Sequence, residues 1–252
     1  MKKRLSFFFS IVLLLFVNNN TEAQYSEKQA FVYKETSYDI FIIKQDSFLV
    51  NKCSFIDNKN LMGEKEFFMS SHSQSFFAIT SSIIESNCTP LGLFVKNGIK
   101  IKDINKSTQG SGSFYSIQPN GIFYITERNE FKITATPDFL QLAENLKLAI
   151  QTGPILVYEG NINPIFTANS KNKYIRCGVG VFNNKDGSYL VFAKSNEPVN
   201  FYDFADLFVI KYNCKIALNL ESGANSSIHL PSHSSLKFNN GIHCCRYLKI
   251  EL

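Results

Sequence analysis

Apolar and polar residues alternate along this chain in short runs separated by turn dipeptides, a pattern of strands and hairpins rather than of long helices. Runs at 37–43, 76–80, 91–96, 121–126, 130–134, 155–158, 175–182, 189–193 and 215–220 read as strands. Asn97-Gly98, Asn120-Gly121, Asp186-Gly187 and Asn240-Gly241 stand between apolar runs, where type I′ turns are expected. Two stretches carry helical signals. Residues 137–147 follow Thr136 as N-cap, with Pro137 at the first helical position, where a missing N–H costs nothing. Residues 201–212 follow Asn200 as N-cap, with Asp203 in the first turn and Phe204, Leu207, Phe208 and Lys211 at helical spacing. Without a linker, charge run or repeat, the expected fold is a single α+β domain, a mixed or antiparallel sheet with a few packed helices. Residues 53–75 read as an exposed excursion, and the chain after His229 as a final hairpin around Asn240-Gly241.

Composition agrees with a sheet-rich core: 24 Phe and 11 Tyr but no Trp, with 44% hydrophobic and 19% charged residues among 252, which excludes a disordered chain. Residues 1–23 read as a secretory signal: Lys2, Lys3 and Arg4, an apolar run at 5–17, then Thr21 and Ala23 as small residues before a cleavage site. The run is shorter than the ~20 residues that span a bilayer, and no later run is longer, so no stable membrane insertion is expected after cleavage. The domain is then 24–252, periplasmic or secreted. Losing three leader cations and one anion, Glu22, lowers the formal charge from +5 to +3. That charge is scattered, which excludes a nucleic-acid-binding face.

Cys53, Cys88, Cys177, Cys214, Cys244 and Cys245 permit up to three disulfides in an oxidising compartment, among 15 connectivities, or stand as buried thiols. No CxxC pair occurs. His229 and His233 are separated by Pro231 and do not share a helical face as metalloprotease ligands do. No spacing demands a metal or cofactor, although a divalent cation stays open. The Gly110–Ser113 run GSGS precedes an aromatic segment that reads as a strand, so it is a mobile loop rather than a phosphate loop.

Five ordered blocks resemble the phosphodiester glycosidase family, above all its bacterial periplasmic branch: FFAITSSIIESNCTPLGLFVKNGIK, GSGSFYSIQPNGIFYI, LAIQTGPILVYEGNINPIF, YIRCGVGVF and PVNFYDFADLFVIKYNCKIALNLESGANSS. They lie within 76–227, and the resemblance covers roughly 31–231. The best-known member is a lysosomal uncovering enzyme that removes N-acetylglucosamine from a phosphodiester-linked mannose. The resemblance implies hydrolysis of a sugar 1-phosphodiester at the glycosidic bond, with a carbohydrate or sugar phosphate as partner. It places Arg176 at the family's Arg, keeps Gly178 and Gly180 after it, and keeps the Gln151-x-Gly153-Pro154 turn, the Pro90-x-Gly92 step and the Asn120-Gly121 pair.

An Arg fork binds two phosphate oxygens, and a carboxylate serves as acid, base or charge stabiliser. The implied catalytic residues are Glu221 and Arg176, with Gln151, Thr80, Ser82, Gly178, Ser222 and Gly223 contacting substrate. Glu221 reads equally as a solvated turn residue, and Arg176 otherwise as half of a structural ion pair. Two turns depart from the family. Thr80-Ser81-Ser82 replaces an Asn-x-Gly, and Leu220-Glu221-Ser222 replaces a Leu-Asp-Gly. Serine where φ is positive costs on the order of 1 kcal/mol or forces another turn. The expectation is an exported glycosidase-like hydrolase acting on a sugar 1-phosphodiester or related envelope glycan, with an altered site, or alternatively a family member without catalysis that binds or scaffolds envelope glycans.

Overall fold

The computed structural model describes residues 25–45, 48–58, 68, 76–85, 89–142, 145–232 and 246–252. The leader lies outside them, as do Cys88, Cys244, Cys245, His233 and the Asn240-Gly241 turn. The described residues form an α+β fold with three sheets. The largest has the spatial order β1 (Tyr25–Tyr33), β2 (Thr36–Lys44), β13 (Gly187–Ser195), β12 (Arg176–Asn184), β14 (Ile216–Ser222), β10 (Ile155–Tyr158), β11 (Asn161–Ile162). The second has the order β15 (Ile228–His229), β4 (Phe76–Thr80), β16 (Arg246–Glu251), β3 (Cys53–Asp57). The third runs β6 (Ile99–Lys102), β5 (Phe94–Lys96), β9 (Leu146–Thr152), β7 (Gly121–Thr126), β8 (Phe131–Ala135). Every strand pairing among the described residues is antiparallel.

The central strands of the large sheet are apolar on both faces because both faces are covered. One face, with Phe41, Val179, Phe192, Leu218 and Leu220, meets Phe77 and Leu248 of the second sheet and Phe123 and Ile150 of the third in a common core. The opposite face, with Tyr38, Val191, Ala193 and Ala217, lies under Phe204, Leu207 and Phe208. These three belong to a helix that starts as α-helix over Phe201–Asp206 and widens to π-helical turns over Leu207–Lys211. Asn200 caps it, its Oδ1 accepting from Asp203 N at 2.8 Å.

The second expected helix is cut to Thr136–Phe139. The last two residues of that expectation, Leu146 and Lys147, belong to β9, where Leu148 and Ile150 face the common core, Ala149 packs on the outer side, and pairing with β5 and β7 holds the strand. Residues 53–57, expected in an excursion, form β3 against β16. The aromatic stretch after GSGS is a helical turn, Ser113–Ser116, rather than a strand. Asn97-Gly98 is a hairpin turn with φ of 53 and 76°. Asn120-Gly121 is not a turn: Gly121 begins β7, and a Cβ there would lie 2.5 Å from Ile155 Cδ1, so packing rather than backbone conformation demands the glycine. The three described cysteines, Cys53, Cys177 and Cys214, are buried free thiols, and burial pushes each thiol pKa up.

Glycines at alternate positions of β12 let the helix approach the sheet. A Cβ at Gly180 would lie 2.7 Å from both Cys214 Sγ and Phe208 Cδ1. Gly180→Ala is expected to lower stability by about 1–3 kcal/mol through overpacking, read as a shifted urea midpoint at constant slope. An unchanged midpoint would show that the helix does not rest on β12 at this point.

Candidate functional site

The site forms where β12 and β14 end together, and a bulge shapes it. Arg176 pairs with Ser222 and Cys177 with Glu221, but Gly178 pairs with Asn219, so β14 holds one extra residue at Leu220. In a regular strand, positions 219 and 222 point to opposite faces. The extra residue sets Asn219 and Ser222 on the helix-covered face, beside Arg176, and turns Glu221 toward the common core with Cys177.

Arg176 is 1% exposed. Its Nη1 donates to Ser222 Oγ at 2.9 Å, its Nε to Val199 O at 2.8 Å and its Nη2 to Asn172 O at 3.2 Å. The guanidinium carbon lies 3.5 Å from the Phe201 ring centroid. All three acceptors are neutral, and among the described residues no carboxylate pairs with it. Burial lowers its pKa to about 10, so it stays charged at neutral pH. The chain of bonds continues inward: Ser222 Oγ donates to Asn219 Oδ1 at 3.2 Å, and Asn219 Nδ2 to Gly153 O at 3.1 Å.

Glu221 is 7% exposed. Burial lifts its carboxyl to about 8, against which the single hydrogen bond from Ser222 N at 2.8 Å pulls downward. At neutral pH it is therefore mainly a neutral acid. Ser222 touches both groups, Arg176 through its hydroxyl and Glu221 through its backbone N–H. Gly223 follows at φ 96°, with open space where a Cβ would be. Neither Ser82 nor Ser222 has positive φ; the left-handed turn falls on Gly223 instead.

The other expected site residues divide. Thr80 lies at the same end of the fold, its hydroxyl accepting from Ser227 N at 2.9 Å and donating to the 225–227 turn, which ties β4 to the chain after Gly223. Ser82 follows it with a buried hydroxyl that has no hydrogen-bond partner among the described residues. Gly178 sits under the helix, where a Cβ would meet Phe204 Cε1 at 2.9 Å. Gln151 is not gathered with these groups. It points to the outer side of the third sheet, where its Oε1 accepts from Leu93 N and Asn105 N and its Nε2 donates to Asn105 O and Thr136 Oγ1. Among the described residues, no three His, Cys, Asp or Glu side chains come together in a way that would hold a metal.

The profile of the phosphodiester glycosidase family matches residues 70–244, more than half of the chain and all of this site. The chain belongs to the phosphodiester glycosidase family. It is 33% identical over 153 residues to the protein YigE of Escherichia coli strain K12, an alignment covering 61% of this chain and 58% of that one. The chain thus spans under two thirds of that relative's length. The catalytic domain of zebrafish N-acetylglucosamine-1-phosphodiester alpha-N-acetylglucosaminidase, in a form auto-inhibited by its pro-peptide, shares the fold at TM-score 0.58 and 14% identity, over 93% of this chain and 85% of that one. A Synechocystis protein is similar at TM-score 0.50 and 10% identity, over 90% of this chain and 62% of that one.

Two groups of this site carry little or no signal in the sequence. Asn219 is the polar residue inside the apolar run IALNL, and that position is the signal that it serves a buried network. Ser195, whose Oγ accepts from Arg176 N at 3.0 Å, has no comparable signal.

The Glu221 shift sets a pH dependence. Its carboxyl ionises near 4.5 when exposed and near 8 when buried, so between those values the unfolded chain binds fewer protons than the fold. Its neutral burial is without penalty below about pH 4.5, and stability falls as pH rises toward 8. Glu221→Gln removes this slope. Melting temperatures of the two proteins are expected to diverge from pH 5 to pH 8, the variant becoming the more stable by on the order of a few kcal/mol. Parallel curves would show that Glu221 is ionised in the fold.

Proposed function

We propose that the protein is an exported phosphodiester glycosidase that hydrolyses the glycosidic bond of a sugar 1-phosphodiester. The observation that carries this reading is the contact of Ser222 with both a buried, uncompensated guanidinium and a buried neutral carboxyl. Arg176 supplies positive charge to the phosphate that docks at the Ser222-Gly223 turn. Glu221 is the general acid. Water attacks the anomeric carbon, the bond from that carbon to the phosphate oxygen breaks, and Glu221 gives its proton to the departing phosphate. The proton lost by water restores Glu221. A carboxyl held neutral at pH 7 by burial suits that role. The leader pattern at 1–23 supports export, with 24–252 as the working domain; no helix among the described residues is long and apolar enough to cross a membrane.

A second reading, glycan binding without turnover, is favoured by one feature: the guanidinium is 1% exposed and already holds three neutral oxygens. The two readings separate in one assay. The purified protein is expected to release sugar from a panel of sugar 1-phosphodiesters, with kcat reduced about a hundredfold or more in Arg176→Lys and Glu221→Gln. Ligand binding without turnover would favour the second reading, and turnover unaffected by both substitutions would remove these residues from the mechanism.

A further inference from the structure

Tyr174 stands beside the site, and the reaction above does not use it. Its backbone is fixed against Val199: Tyr174 N donates to Val199 O at 3.2 Å, and Val199 N to Tyr174 O at 2.9 Å. Its neighbours in the chain are tied down as well, through Asn172 O on Arg176 and through Ile175 O, which accepts from Gly223 N at 2.8 Å and Ser226 Oγ at 3.1 Å. Despite this anchoring Tyr174 remains 52% exposed. Its ring centroid lies 5.7 Å from the Arg176 guanidinium carbon, whose other aromatic neighbour, Phe201, is stacked at 5.1 Å on Phe166. A series of ring and guanidinium contacts therefore leads from the helix to the surface and ends in a rigid, half-exposed aromatic next to the charge.

We propose that Tyr174 is the platform on which the pyranose ring of the substrate stacks, an assignment that rests on the reaction proposed above. The apolar C–H face of a pyranose complements the electron-rich face of an aromatic ring, and pre-fixed backbone lowers the cost of ordering the contact. A sugar stacked there carries its anomeric phosphate toward Ser222 and Arg176. Lys171 and Lys173, exposed on the same loop, add positive charge on the phosphate's approach. The platform selects a cyclic sugar over an acyclic alcohol such as glycerol on the side of the bond that is cleaved.

Calorimetric titration with α-glucose 1-phosphate and, separately, with inorganic phosphate tests this. Tyr174→Ala is expected to bind the sugar phosphate about tenfold more weakly while its phosphate affinity stays within about twofold of wild type, and Tyr174→Phe is expected to behave as wild type. Thermal melts check that the variants keep the wild-type fold. Equal weakening toward both ligands would show that Tyr174 acts only through Arg176 and would overturn the platform. Unchanged affinities in Tyr174→Ala, with binding lost in Arg176→Lys, would overturn the platform and leave the reaction standing. Wild-type protein that binds neither ligand would overturn both.

Discussion

In a regular antiparallel ladder Asn219 and Ser222 would project from opposite faces of β14, and Arg176 would meet only one of them. The extra residue at Leu220 cancels that alternation, and much of the site depends on it. It puts Asn219, Ser222 and Arg176 on one face, in a chain of hydrogen bonds anchored on Gly153 O. It also swings Glu221 to the other face, toward Cys177. The two buried ionisable groups therefore share Ser222 as a neighbour without forming an ion pair.

That separation decides their chemistry. A carboxylate beside a guanidinium has a depressed pKa and cannot donate a proton at neutral pH. Glu221 has no such partner among the described residues, and burial alone moves it upward, to about 8. Arg176 in turn keeps an uncompensated charge among neutral oxygens, an arrangement that costs stability unless an anion arrives. The glycines of β12 belong to the same design from the other side. Gly178 and Gly180 let Phe204 and Phe208 close over the sheet, which brings Asn200 and Phe201 to where the helix start encloses the guanidinium.

Much of the fold can be read from the chain because its strands carry their own punctuation. The runs at 76–80, 121–126 and 155–158 match β4, β7 and β10. β9 escapes such a reading because the helix expected over 137–147 runs into its first two residues, Leu146 and Lys147, and pairing with β5 and β7 makes this stretch a strand. The site is legible in part. Arg176 is conspicuous as a cation opening an apolar strand, whereas the bulge is invisible, since LNLES reads as an ordinary strand end. Gln151 in a Gly-Pro turn invites a role with ligand, but period-two alternation sends it to the outer face, where four hydrogen bonds employ its amide. Thr80 borders the 225–227 turn in three dimensions, a relation that no local pattern encodes.

The pH dependence of kcat/KM on a sugar 1-phosphodiester tests most directly whether a neutral Glu221, kept apart from Arg176 by the bulge, is the acid. The rate is expected to hold through neutral pH and to fall tenfold per unit on an alkaline limb beginning near pH 8, the limb disappearing in Glu221→Gln along with most of the activity. A limb beginning near pH 4–5, or one that persists unchanged in Glu221→Gln, would contradict it.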